Sequence, residues 1–363
     1  MSEVLFNSIN KWLSKEGNKQ IDITHNTGIA KSLISDVIDK KGSKDLRFSK
    51  TLSVLRYIEE DYLEVMDDYC RTLKKPVGIL NSLEYASNFE RQELMDDLLT
   101  EYKDHRGEVK EWVEIYRFNR DRNIMTPEVA WEKCRELYGR VTVPDAQLKL
   151  DLIETSIHFR NDQYNIRSFI DRVERKIGTL KEGFLKDSLK VKYHLNYSFV
   201  CLYENEDIDE AIMHAKEVTK SKLVPIYLVA CAYHLLGHAE MYRNKELSLH
   251  NLKEAKRLYK LASSSKAAQI EQDIQFVLNV HGEYQEIESL KDEELAFQYL
   301  VRKENEKARK ALETVDKKSP FALLYLGIAT KDIKPIIKGY GLMKQSGNNF
   351  FAQLFERAIS EYQ

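Results

Sequence analysis

A pattern of paired helices returning about every 35 residues constrains this chain more than any other feature. It is clearest in KVKYHLNYSFVCLYENEDIDEAIMHAKEVTKS (Lys190 to Ser221) and PIYLVACAYHLLGHAEMYRNKELSLHNLKEAKRLYKLA (Pro225 to Ala262). In each, an apolar helix rich in Tyr and small residues precedes a short polar turn. A second helix follows, carrying Ala or Leu every three to four positions. The pattern returns at Leu295–Val315 and Phe321–Met343. An apolar stripe at helical spacing, with small residues where helices cross, predicts an all-α chain: a degenerate tetratricopeptide-like superhelical solenoid. Such an array offers a concave scaffold for a peptide or partner helix and argues against an all-helical enzyme.

The sequence has only 14 Gly and 6 Pro in 363 residues, so long helices meet few breakers. Helix pairs are expected near 148–160 with 165–178, 186–203 with 207–220, 224–241 with 245–261 and 266–281 with 292–301. Four segments follow: a head over 1–55, a helical linker with the first degenerate repeats over 56–147, the solenoid over 148–345 and a C-terminal helix over 346–363. Leu55–Leu73 reads as one acidic helix, and Asn119–Ile124 as a connection. Thr126-Pro127-Glu128 should start a helix, with Thr as cap and Pro in the first turn. Cys70, Cys134, Cys201 and Cys231 sit singly, without metal-ligand spacing, as reduced core cysteines do. No run of 18 apolar residues exists, so no membrane partner is expected.

The head carries nine Lys/Arg against six Asp/Glu over residues 1–50. Val4–Leu13 forms a first helix, Ile21–Thr24 lies in a second, and Gly28 supplies a tight turn. Ile29 anchors the core, and Ala30–Lys40 forms a third helix with Leu33 or Ile34, Val37 and Ile38 inward. This is a helix-turn-helix pattern. Lys31, Ser32 and Ser35 then occupy the outward face where a recognition helix meets base edges and phosphates. Lys40, Lys41, Lys44 and Arg47 suit further phosphate contact on double-stranded DNA. A small helical cap with solvated lysines would read the same way.

Chemistry is sparse. Asp67-Asp68 and Asp96-Asp97 are adjacent pairs, and adjacent residues do not share a helix face. His234 and His238 are the only i,i+4 histidine pair and lack a nearby Glu base, so neither catalytic residues nor a metal or other cofactor are expected. Phosphate-binding Gly-rich loops are absent. Tyr193, His194, Asn196, Tyr197, Tyr227, Tyr233, His234 and Gln275 fall on the first helices of the pairs, where an extended peptide would meet amide and phenol groups. Many of the 20 Tyr can equally fill interfaces between repeats. The C-terminal FFAQLFERAIS leaves Phe351, Leu354, Phe355 and Ile359 on one apolar side, expected either to dock on the preceding helix or to form a homodimer interface.

The order of head, acidic linker, degenerate repeats and apolar tail resembles the AimR-type arbitrium receptors of Bacillus phages, within the Rap, NprR and PlcR-like peptide sensors. The likeness is closest at EVMDDYCRTLKKPVGILNSLEYASNF (Glu64 to Phe89), and extends to Tyr233–Gly237, to KENEKARKAL (Lys303 to Leu312) and to YLGIATKD (Tyr325 to Asp332). The resemblance implies a cytoplasmic, homodimeric regulator of the phage lysis–lysogeny decision. It would bind operator DNA without its signal and be switched off by an imported peptide of six residues. By position, the family's peptide-binding Glu falls on Glu294 and its C-terminal Asp on Asn348. The groove arginine falls on Tyr227 and the following Thr on Leu235. Asn196 and Asn205 come nearest to its paired asparagines. Replacing arginine by tyrosine removes a bidentate carboxylate partner, so a different signal sequence is implied. Two rival readings remain: a Rap-type module that binds a protein target, and a constitutive, peptide-independent regulator descended from the phage protein.

Overall fold

The structure is a computed structural model, described for residues 3–39, 46–285 and 292–362. Among the described residues every regular element is helical. The chain divides into two compact units. The first comprises 1–154, 172–192 and 221–225; the second comprises 155–171, 193–220 and 226–363.

The head contains α1 (Val4–Leu13), α2 (Gln20–Thr27), α3 (Lys31–Asp39) and α4 (Phe48–Ile58). Leu5, Ile9, Ile23, Ile29, Ile34, Val37 and Leu52 are its buried core. Gly28 ends α2 at φ 69°, ψ 11°, a left-handed conformation that costs glycine nothing and other residues some strain. The backbone thereby turns within two residues and enters α3 with Ile29 buried.

The expected single helix over Leu55–Leu73 is instead two: α4 ends at Ile58 and α5 (Tyr62–Thr72) begins four residues later. Glu59 is extended, at φ −116°, ψ 131°. Three consecutive carboxylates, Glu59, Glu60 and Asp61, fill the break, the last two exposed to water. Arg56 fixes the corner by donating to the carbonyl of Lys222 at 2.5 Å and to the Tyr62 hydroxyl at 3.2 Å. Phe48 joins head to linker: its ring lies 6.2 Å from those of Tyr69 and Tyr85 and 4.6 Å from Phe184.

The linker continues through α6 (Pro76–Asn88), α7 (Gln92–Glu101), α8 (Glu108–Asp121) and α9 (Pro127–Tyr138). The expected connection at Asn119–Ile124 is helical: α8 runs to Asp121 and a 3-10 turn covers Arg122–Ile124. Thr126 caps α9, its hydroxyl accepting from the Val129 amide at 3.5 Å. The adjacent aspartates pair with arginines: Asp67 with Arg91, Asp68 and Asp97 with Arg71, Asp96 with Arg120. Glu84 is fully buried in the first unit, accepting from the Ser188 hydroxyl at 2.6 Å and from the phenol of Tyr116, with Lys192 at 3.2 Å. Burial alone would raise its pKa, but the ammonium groups of Lys149 and Lys192 and these hydrogen bonds hold it well below the carboxylate range.

Three helices, α10 (Pro144–Arg160), α11 (Arg167–Ile177) and α12 (Phe184–Tyr203), have residues in both units. The second unit continues with α13 (Ile208–Lys220), α14 (Ile226–Glu240), α15 (Lys245–Leu261), α16 (Lys266–Val280), α17 (Asp292–Val301), α18 (Asn305–Glu313), α19 (Pro320–Thr330), α20 (Ile333–Ser346) and α21 (Asn349–Ser360). From α13 onward each helix packs on its sequence neighbours, the local, solenoid-like arrangement that repeats dictate. Small residues let the pairs approach. A methyl group on Gly237 of α14 would lie 2.6 Å from the Leu252 side chain of α15. At the end of the array Ala296, Ala308, Ala322, Ala352 and Ala358 pack with Leu312, Tyr325, Ile336 and Phe355.

The C-terminal helix takes the first of its two expected places, docked on the preceding helix. Phe355 is fully buried, and Phe351, Leu354 and Ile359 pack against the same internal cluster. The Phe351 ring lies 5.3 Å from Phe321 and 5.8 Å from Phe276. Burying those rings within the chain removes apolar area from water without a second copy. The tail is thus the last layer of this core.

Candidate functional site

Two groups of residues were singled out by sequence, one per unit. In the head, Lys31 and Ser32 are exposed at the start of α3, and Arg47 is exposed at the start of α4. Ser35 is half-buried and accepts from the Gln20 amide nitrogen at 2.8 Å. That bond ties α2 to α3 and occupies one of the hydroxyl's lone pairs. Lys40, Lys41 and Lys44 lie outside the described residues.

In the second unit the expected groove residues separate into two sets. Asn196 on α12 and Tyr227 on α14 are partly accessible, Asn205 is exposed in the turn after α12, and Glu294 is half-buried in the first turn of α17. Tyr227 meets Tyr259 edge-on at 5.6 Å, and the Lys266 ammonium lies 5.3 Å from its ring. A cation from α16 therefore stands beside Tyr227, where the resemblance leads one to expect the family's groove arginine. Sequence comparison missed Lys266 because it lies on a different helix from Tyr227.

The other set is structural. Leu235 is 2% exposed and belongs to the core of α14. Asn348 is buried and caps α21, its side-chain oxygen accepting from the Phe351 amide at 3.2 Å. Tyr193 is buried, its ring 5.5 Å from Tyr197 and 5.8 Å from His214. Tyr197 stacks on His214 at 4.2 Å and receives a hydrogen bond from Arg167 at 2.7 Å. These four depart from the groove expectation because helix packing and capping take up their side chains.

Elsewhere in the second unit, a cavity of 340 Å³ is lined by Lys253, Lys256, Arg257, Lys260 and Glu271 among others. None of the sequence-selected residues lines it. The i,i+4 histidines of α14 also acquire a partner that sequence spacing could not reveal. Asp273 of α16 places Oδ2 3.0 Å from His234 Nε2, and the Tyr203 hydroxyl lies 2.7 Å from His238 Nδ1. Burial, with His234 adjacent, pushes the His238 pKa down to about 3, so its imidazole is neutral at physiological pH.

Helix pairs in sequence order behind a small helical head define a repeat-built, all-helical class of protein. A model of the AimR transcriptional regulator-like family matches residues 62–361, and the chain belongs to that family. It is accordingly a receptor of the arbitrium type, concerned with regulation of transcription. No curated protein matches it. Among solved structures, selenomethionine-labelled phAimR superposes with a TM-score of 0.73 at 14% identity, covering 99% of this chain and 97% of that one. A phAimR–ligand structure gives a TM-score of 0.72 at 16% identity, covering 88% and 98%. At such identities the likeness to the two structures is one of fold. No helix among the described residues is long and apolar enough to cross a membrane.

Proposed function

We propose that this protein is a cytoplasmic, homodimeric, DNA-binding regulator of the phage lysis–lysogeny decision, active on its operator without signal and switched off by a short peptide of about six residues. The observation that carries the reading is the family match across residues 62–361, which takes in the whole array of the second unit. The α2–Gly28–α3 turn, with Lys31 and Ser32 exposed at the start of α3, supports DNA contact. In this reading Lys31, Ser32 and Ser35 face the major groove, and Arg47 with Lys40, Lys41 and Lys44 meets phosphates.

Asn196, Asn205, Tyr227 and Glu294 would receive the peptide. Glu294 offers a carboxylate to a peptide arginine or amino terminus. Lys266, beside Tyr227, supplies a point charge in place of the family's bidentate arginine, which favours a peptide carboxylate with less strict geometry. Peptide binding then acts as a population shift: it favours a form whose two heads no longer match paired half-sites.

Fluorescence anisotropy on a duplex that the protein selects from a randomised pool tests the DNA half. Lys31→Ala should weaken binding to all sequences and lower the salt slope by about one counterion. Absence of saturable, salt-dependent duplex binding would overturn the DNA reading and favour a protein target instead.

A further inference from the structure

We propose that His234, His238 and Asp273 form a binding site for one divalent transition-metal ion of the zinc class. The inference stands apart from the proposed function. Helix α14 places the two histidines one turn apart on the same face, their ring centroids 4.5 Å apart. Helix α16 brings Asp273 to them, and one ligand atom from each of the three residues lies within 4.8 Å of the others. Zinc bonds of about 2.0–2.1 Å to nitrogen and oxygen place tetrahedral ligand atoms roughly 3.3 Å apart. Side-chain rotations that shorten the longest of these separations by up to about 1.5 Å would therefore close the set. The His234–Asp273 pair is already at 3.0 Å.

The donor set selects the ion. Two imidazoles and one carboxylate suit zinc, cobalt or nickel, whereas calcium and magnesium take oxygen ligands almost throughout. Tyr203 is placed to supply the outer support that metal-bound histidines generally have: its hydroxyl lies 2.7 Å from His238 Nδ1, and in the tautomer in which Nδ1–H donates to it, Nε2 carries the free lone pair. His234 and Asp273 each keep 20% of their side-chain surface in water, while the facing atoms Nε2 and Oδ2 are themselves buried. Three protein ligands leave a fourth position for water or another donor. Because the ligands come from α14 and α16, the ion would pin two helices of the second unit together.

The test uses the full-length chain stripped with chelator, titrated with cobalt(II) by visible absorption and with zinc(II) by competition against a chromophoric chelator. One equivalent, with the intense visible bands of four- or five-coordinate cobalt and a raised melting temperature, is expected. His234→Gln and Asp273→Asn, checked for native helical content by circular dichroism, should each weaken zinc binding at least about tenfold. The octahedral spectrum of aqueous cobalt in the wild-type titration would overturn the proposal, whatever the variants do. So would stoichiometric binding that both variants retain at full affinity, since the ion would then be held elsewhere.

Discussion

The Lys149 ammonium meets the Glu84 carboxylate at 2.5 Å inside the first unit, with the two side chains 2% and 0% exposed. Separating such a pair leaves a charge in a medium that solvates it poorly, which costs about 3–5 kcal/mol. Glu84→Ala should therefore lower stability by that amount in denaturant unfolding followed by circular dichroism. Adding Lys149→Met should restore part of it, because the fully buried cation is then gone while Lys192, 22% exposed, can still reach water.

Acid should attack the same place. The cations around Glu84 hold its folded pKa below the unfolded carboxylate value of about 4.3. Its stabilisation is thus complete above that pH and is lost as pH falls through the folded value. Melting temperature should decline below about pH 4.3, and Glu84→Gln should start lower but decline less steeply. A variant profile parallel to that of the wild type would assign the acid sensitivity to other groups.

Gly28 stands at φ 69°, with nothing within 4 Å of where a Cβ would lie. The cost of a side chain there is backbone strain alone, so Gly28→Val should destabilise the chain by roughly 1–2 kcal/mol and Gly28→Asn by less. Thermal melts of the two variants measure the difference. Equal losses would point to sterics instead.

Two glycines of α20 should respond in opposite senses. A Cβ on Gly339 would meet Phe355 Cε1 at 2.7 Å and the Pro320 carbonyl at 2.9 Å, whereas one on Gly341 meets nothing within 4 Å. Gly339→Ala should destabilise by about 1–3 kcal/mol through overpacking. Gly341→Ala should stabilise by up to about 1 kcal/mol through helix propensity. Differential scanning calorimetry of the pair checks both signs.

Helix positions were legible where a local signal sets them. Thr126-Pro127 announces the start of α9, and Gly28 the turn before α3. The break between α4 and α5 was not, because the apolar rhythm runs on through Ile58 and Tyr62 while a remote carbonyl, that of Lys222, holds Arg56 at the corner. Burial was harder still. Leu235 and Phe355 carry the same periodicity as a lining or a dimer face, and only the neighbouring helices decide that both are core. Lys266 beside Tyr227 and Asp273 beside His234 are likewise products of helix packing, with no signature at any fixed spacing.

The central claim is that a peptide received by the array controls DNA binding by the head. Operator affinity measured by anisotropy, with and without a saturating hexapeptide selected for binding to the protein, tests it most directly. The account predicts at least about a tenfold loss of affinity when peptide is bound, a coupling of about 1.4 kcal/mol or more. The same affinity at every peptide concentration would contradict it.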